Sequence, residues 1–220
     1  MREIKVVREG GFINVTIKKS EKKKISFFAK GVKGSLRWPT IHSPGYLCVV
    51  AQKVGINAYG KSPLFLLEEH TERLSKDLFK VLIDSRKRFS CVQFYNDFKP
   101  ENEGLKRLFY DHCRYERASG IGLIRAPLVE NFNLRMDLVR EWVKSESLEV
   151  PDGTILCDQL EHMSPDDLSE KPEERFFAVD ALSFILASLE KDGSWQPDEF
   201  IDVEGGRRRE REKADSVGWT

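Results

Sequence analysis

No stretch of this 220-residue chain approaches the roughly 20 apolar residues needed to span a bilayer. Its opening, Met1-Arg-Glu-Ile-Lys-Val6, lacks the apolar centre of a secretory signal. Both absences lead to the expectation of a cytoplasmic protein with no membrane partner. Cysteine is scarce: Cys48, Cys91, Cys113 and Cys157 lie more than 20 residues apart. No CxxC pair exists, so a zinc ribbon has no support and reduced, structural thiols are expected. His42, His70, His112 and His162 show no HxxxH-type spacing. There is also no net charge (36 basic against 36 acidic residues) and no internal repeat, which excludes a uniformly basic nucleic-acid coat and a solenoid.

What charge there is lies unevenly. Residues 1–30 hold nine Lys/Arg against three Glu, a net of +6, and residues 146–174 hold ten Asp/Glu against one Lys, a net of −9. A basic arm can track phosphates, whereas an acidic stretch repels them unless it holds metal.

Hydrophobic spacing divides the chain into three parts. Over 1–35, Ile4 and Val6, then Phe12, Val15 and Ile17, then Ile25 and Phe27 alternate as in a small antiparallel meander, with Gly31 to Pro44 read as a linker. Over 36–192, strands are expected at Tyr46–Val54, Leu64–Glu68, Cys91–Asn96 and Ile121–Ala126. Helices are expected at Glu72–Arg86, after Pro100, and after a capping Asn131. A short strand is expected at Thr154–Cys157. The segment from Glu174 to Lys191 has almost no polar face and predicts a buried, central helix. Residues 193–220, with Gly205-Gly206 and a charge run from Arg207, read as a polar, disordered tail. The alternation predicts an α/β fold with a mixed sheet.

Two patterns carry chemistry. Gly55-Ile-Asn-Ala-Tyr-Gly60-Lys61-Ser62 matches GxxxxGK[ST] after an expected strand. In a phosphate loop the backbone amides and Gly60 would cradle a nucleotide's phosphates, Lys61 would reach the β/γ oxygens and Ser62 would ligate Mg²⁺. Pro63 and the extended Leu64-Phe-Leu-Leu67 that follow favour a turn within a hairpin instead. The second pattern is a pair of acids in apolar settings. Asp180 shares a helix face with Phe176 and Phe184, and Asp97 stands at the end of a strand. A buried carboxylate needs a cation, hydrogen bonds or a metal, so both residues are candidates for metal ligation; structurally, Asp180 could instead bond an Arg or a backbone amide and Asp97 cap the loop before Pro100.

Three segments together resemble the C-terminal nuclease domain of phage terminase large subunits. They are Cys91-Val-Gln-Phe-Tyr-Asn-Asp97, the helix ending Arg140-Glu-Trp-Val143, and above all Arg175-Phe-Phe-Ala-Val-Asp180-Ala-Leu-Ser-Phe-Ile-Leu-Ala-Ser-Leu189. The likeness spans about residues 45–190. It implies a ribonuclease-H-like mixed sheet flanked by helices and a role in phage or prophage DNA packaging, with double-stranded DNA and other packaging proteins as partners. It also implies a divalent-metal-dependent endonuclease in which Mg²⁺ or Mn²⁺ sits on clustered carboxylates. By that resemblance Asp97 and Asp180 are the metal ligands and Asp97, Asp180 and Glu69 the catalytic acids, with Glu68 and Glu69, or Glu173 and Glu174, as the acids that could substitute where the pattern is incomplete. The chain departs from the pattern where an acid belongs on the first strand. No Asp or Glu occurs from Tyr46 through Leu67, and Gln52 stands about where it would fall. Two metals about 4 Å apart need several carboxylates. An incomplete cluster therefore leaves a cutting enzyme, an inactive relative, a nucleotide binder using Gly55–Ser62, and a non-catalytic DNA- or protein-interaction module as the readings to separate.

Overall fold

The computed structural model describes residues 3–9, 12–20, 23–91, 93–97, 102–128, 131–163 and 172–190; the tail expected over 193–220 lies outside them. β1 (Glu3–Glu9), β2 (Phe12–Ser20) and β3 (Lys23–Arg37) form the antiparallel meander. Alternation sets its two sides: Ile13, Val15, Ile17 and Ala29 are buried, whereas Lys18, Lys24 and Phe28 are exposed.

β3 does not stop where a linker was expected. It continues through Gly31 and Gly34 to Arg37, running across the boundary placed at residues 35 and 36. Its second half pairs antiparallel with β4 (Gly45–Lys53), from Ala29 opposite Lys53 to Arg37 opposite Tyr46. On its other edge, Gly34 to Leu36 pair parallel with Phe94 to Asn96 of β6 (Gln93–Asn96). Gly34 has a steric reason to be there. A Cβ on Gly34 would lie 2.3 Å from Cδ1 of Phe94, a fully buried ring.

β5 (Leu64–Glu72) pairs antiparallel with β4, β7 (Gly122–Arg125) pairs parallel with β6, and the two-residue β8 (Leu148–Glu149) pairs parallel with β5. The central strands thus run β5-β4-β3-β6-β7, antiparallel on one side of β3 and parallel on the other. Helices α1 (Ser75–Phe89) and α2 (Glu103–Tyr115) contribute to the core on one face, where Leu78, Phe79, Leu82 and Phe109 meet Leu47, Val49 and Ala51. On the other face α3 (Phe132–Lys144), α4 (Ile155–His162) and α6 (Phe177–Glu190), the last entered through α5 (Pro172–Arg175), meet Tyr46, Cys48 and Val50. This is a mixed sheet with helices on both faces, the α/β arrangement that the alternation of strands and helices predicts.

Local chemistry accounts for the helix starts. Asn131 Oδ1 accepts from the Leu134 amide at 3.0 Å and caps α3 as expected. The strand expected at Thr154–Cys157 is instead the start of α4. Thr154 Oγ1 accepts from the Cys157 amide at 3.2 Å, so its β-branched side chain serves as an N-cap. α6 is buried from Ala178 through Ser188 and packs against β3, β4, β6, α3 and α4. No helix among the described residues is long and apolar enough to cross a membrane.

The Gly34–Phe94 contact has a measurable consequence. Gly34→Ala is expected to destabilise the protein by about 1–3 kcal/mol in urea unfolding through overpacking, and Phe94→Leu in the same chain should return part of that loss. A Gly34→Ala variant as stable as the parent would show that Phe94 can yield.

Candidate functional site

Asp180 opens the first turns of α6, where its neighbours on the helix are apolar and its side chain is almost wholly buried. Both carboxylate oxygens are used. Arg135 of α3 donates from Nη2 to Oδ1 at 2.6 Å, and Arg37 at the end of β3 donates from Nε to Oδ2 at 3.2 Å. The two guanidinium groups are as buried as the acid they hold. Their remaining donors are also directed: Arg37 Nη1 to Ser43 Oγ (2.6 Å), Arg135 Nε to Ser183 Oγ (3.0 Å) and Arg135 Nη1 to the Leu128 carbonyl (2.8 Å). The Arg135 guanidinium also lies over the Phe184 ring, 5.1 Å from its centroid.

The second half of β3, Gly31-Val-Lys-Gly-Ser-Leu-Arg37, contains no Asp or Glu. Arg37 ends it, one step beyond the Leu36–Asn96 pair, and Asp97 follows Asn96 on the neighbouring strand. Arg37, Asp97 and the Arg37-bound Asp180 therefore gather at one end of the sheet. Asp97 is half-buried and accepts from Asn102 Nδ2 at 3.4 Å.

Glu69 does not join them. It stands on β5, two strands from β3 and so about 10 Å away across the sheet. One oxygen accepts from the Ile155 amide at 2.6 Å; the other accepts from the Leu156 amide at 3.1 Å and from the Tyr46 hydroxyl at 2.6 Å. It is a helix cap for α4. Glu68 faces the opposite way, because a register shift between Val49 and Val50 places a bulge at Leu67 and reverses the alternation. There it meets Ser85 at 2.9 Å, Arg88 at 2.5 Å and the His70 ring.

The GxxxxGKS segment is the connection of the β4–β5 hairpin, and β5 follows it where a nucleotide site requires a helix. Asn57 organises the turn: its Oδ1 accepts from the amides of Tyr59 and Lys61, and its Nδ2 donates to the Ser145 carbonyl and Ser147 Oγ. Lys61 Nζ is held by Glu141 (2.8 Å) and Glu190 (3.0 Å) over the Trp142 ring, and Ser62 Oγ accepts from Lys30 at 2.9 Å. Gly60 has φ +75°, a turn conformation that its lack of a side chain permits. The phosphate-loop reading is overturned by this geometry: the lysine and hydroxyl it needs are committed to the protein's own carboxylates and ammonium.

Electrostatics follow these contacts. Burial, then the nearby Cys48 and Glu69, push the Tyr46 phenol well above its usual range, so it stays a donor to Glu69. Burial pushes the Cys48 thiol up to about 12, leaving an inert side chain beside Ser35. Burial acts to lower the Lys61 pKa, but Glu141 and Glu190 outweigh it and hold the ammonium above its ordinary value. Burial acts to raise Glu68, yet hydrogen bonds from His70 and Ser85 and the charges of His70 and Arg88 hold it below the usual carboxylate range.

Among the described residues no three His, Cys, Asp or Glu side chains gather where an ion could be held. The donor set does not fit a two-metal centre, since one acid carries two guanidinium groups, a second caps a helix and a third faces the other side of the sheet. Arg37 and Arg135 are the residues that sequence reasoning did not name. The signal was Asp180 itself, which demands a cation, but the partners lie 143 and 45 residues away.

No protein-family model matches the chain, and no curated protein matches it. Among solved structures it is similar to the g2p (large terminase) nuclease domain from the bacteriophage SPP1, a structure with bound Mn. The identity is 11% and the TM-score 0.48, covering 70% of this chain and 84% of that one.

Two outcomes follow from the site. Asp180→Ala strands two buried guanidinium groups and is expected to destabilise the fold by about 3–5 kcal/mol in urea unfolding; an acid from a repelling metal cluster would instead stabilise the protein when removed. For Glu68, a depressed folded pKa means its contribution is present above the unfolded value of about 4.3 and is lost as pH falls through the folded value. The stability gap between the parent and Glu68→Gln should therefore narrow below about pH 4. A gap that stays constant from neutral to acid pH would refute the assignment.

Proposed function

We propose that this chain is a non-cleaving relative of the terminase nuclease domains, acting in phage or prophage DNA packaging by binding duplex DNA and packaging proteins and not by cutting. The observation that carries this reading is Asp180 held between Arg37 and Arg135. In the family that the sequence resembles, clustered acids at the strand ends hold Mg²⁺ or Mn²⁺. Here guanidinium groups supply the positive charge at Asp180, and they neither activate water nor exchange with solvent ions. Among the described residues Asp97 is then the one further acid at the strand ends, too few for a metal pair. The absence of any Asp or Glu from Tyr46 through Leu67 supports the same reading.

Supercoiled plasmid incubated with the protein and Mn²⁺ or Mg²⁺ is expected to remain intact, while a linear duplex is retarded in a native gel at low salt. Nicking that disappears in Asp97→Asn or Asp180→Asn would overturn the reading in favour of a metal-dependent endonuclease. Absence of any duplex retardation would remove the DNA-packaging part of it.

A further inference from the structure

α6 comes down one side of the sheet and ends beside an open part of it. Its Asp180 is held at the Arg37 end of β3, and its last residue, Glu190, accepts from Lys61 at 3.0 Å in the β4–β5 connection, at the opposite end. Tyr46, Cys48 and Val50 of β4 face this helix, so alternation puts Val54 on the same side. Ala29 lies opposite Lys53, and the Val54 amide donates to the Phe28 carbonyl at 2.9 Å. Phe28 therefore stands beside Val54 on that side. The Phe12 ring meets the Phe28 ring edge to face at 6.4 Å. Phe12, Phe28 and Val54 thus continue the α6 side past the end of the helix, and they are 50%, 53% and 44% exposed. Ile56 and Tyr59, in the connection that holds Glu190, are exposed further, at 70% and 64%.

A run of this kind differs from the single apolar residues scattered over a solvated surface. Its support is rigid. Asn57 fixes the connection to the Ser145 carbonyl and Ser147, and Lys30 Nζ ties β3 to it through Ser62 at 2.9 Å. The charge of the face is mixed, since Glu3 and Glu9 share the outward strand positions with Lys5, Lys18 and Lys24. A polyanion finds no uniform attraction there. What suits the face is an extended segment with several apolar side chains and a moderate charge.

The chain supplies such a segment within reach. Residues 192–204, Asp192-Gly-Ser-Trp-Gln-Pro-Asp-Glu-Phe-Ile-Asp-Val-Glu204, contain Trp195, Phe200, Ile201 and Val203. They also hold five acids and no base, which complements the net of +6 over residues 1–30. Trp195 comes five residues after Glu190 and Phe200 ten, at most about 17 and 35 Å of extended chain. Phe12 lies two strands from Val54, about 10 Å across the sheet. A tether this short gives an effective concentration in the millimolar range, so modest apolar contact suffices. We propose that residues 192–204 dock on this face of their own chain, with their apolar side chains against Phe12, Phe28, Val54, Ile56 and Tyr59. The Asp180 cluster lies toward the other end of α6 and takes no part.

The test installs a photo-crosslinking residue in the full chain (Phe28→p-benzoylphenylalanine) and maps the product by peptide mass spectrometry after illumination. A link within one chain to residues 192–204 is expected. In the same chain, Phe200→Ser with Ile201→Ser should lower the yield of that link at least about threefold, because two apolar side chains no longer leave water on docking. Absence of any link to residues 192–204, or a yield that the serine pair leaves unchanged, would overturn the proposal. So would a link joining two copies, seen as a doubled mass on a denaturing gel, which would make the face a contact between copies. None of these measurements depends on cleavage, metal or DNA, so failure here leaves the reading of the Asp180 cluster untouched.

Discussion

A carboxylate inside an apolar helix is the constraint around which this protein is arranged. α6 is buried along nearly its whole length, and an ionised Asp180 there is tolerable only if cations reach it. Arg37 arrives from the sheet and Arg135 from α3, so one acid fixes the position of the central strand, the flanking helix and the core helix together. Ser43, Ser183 and the Leu128 carbonyl then accept further guanidinium donors, and the Phe184 ring lies against one of the two charges. Such a network holds its members rigidly because each residual donor left without a partner would be costly.

This arrangement also settles the charge at one end of the sheet. The strand ends, the half-buried Asp97 and the acid on the last helix occupy one end of the sheet. The charge at Asp180 is neutralised from within the chain. Two guanidinium groups are permanent cations, so the compensation of Asp180 does not change with pH in the neutral range. Glu69, an acid beside the same core, caps α4.

Much of the fold was legible from spacing. The meander, the apolar runs of β4 and β5, the amphipathic α1 and the all-apolar α6 each carry a strong period, and Asn131 announces α3. What was hidden has physical causes. Gly31 and Gly34 look like a linker because glycine usually marks irregular backbone, yet both lie within β3, where Gly34 lets Phe94 pack onto the strand. Thr154 has a strand former's side chain, but its hydroxyl caps a helix. The bulge at Leu67 reverses sidedness, so a regular alternation would have put Glu68 on the α6 side of the sheet with Leu64 and Leu66. The GxxxxGKS pattern describes a letter order that a hairpin turn satisfies equally well once Asn57 supplies its hydrogen bonds. Of the site, Asp180 and its need for a cation were readable, while the identity of the arginines depended on contacts across 143 residues for Arg37 and 45 for Arg135.

The irregularity in β3 between Ala29 and Gly31 has a consequence for how this sequence can change. Before it, odd-numbered residues such as Phe27 and Ala29 face the core; after it, even-numbered Val32 and Leu36 do, and Arg37 points to the opposite side. Side chains repeat every two residues along a strand. Loss of a single residue here would thus set the meander and the sheet centre in conflict, one half keeping its apolar side inward only if the other turned outward. The arm and the core are held in phase by one residue, which makes this short stretch far less tolerant of insertion or deletion than its glycines would suggest.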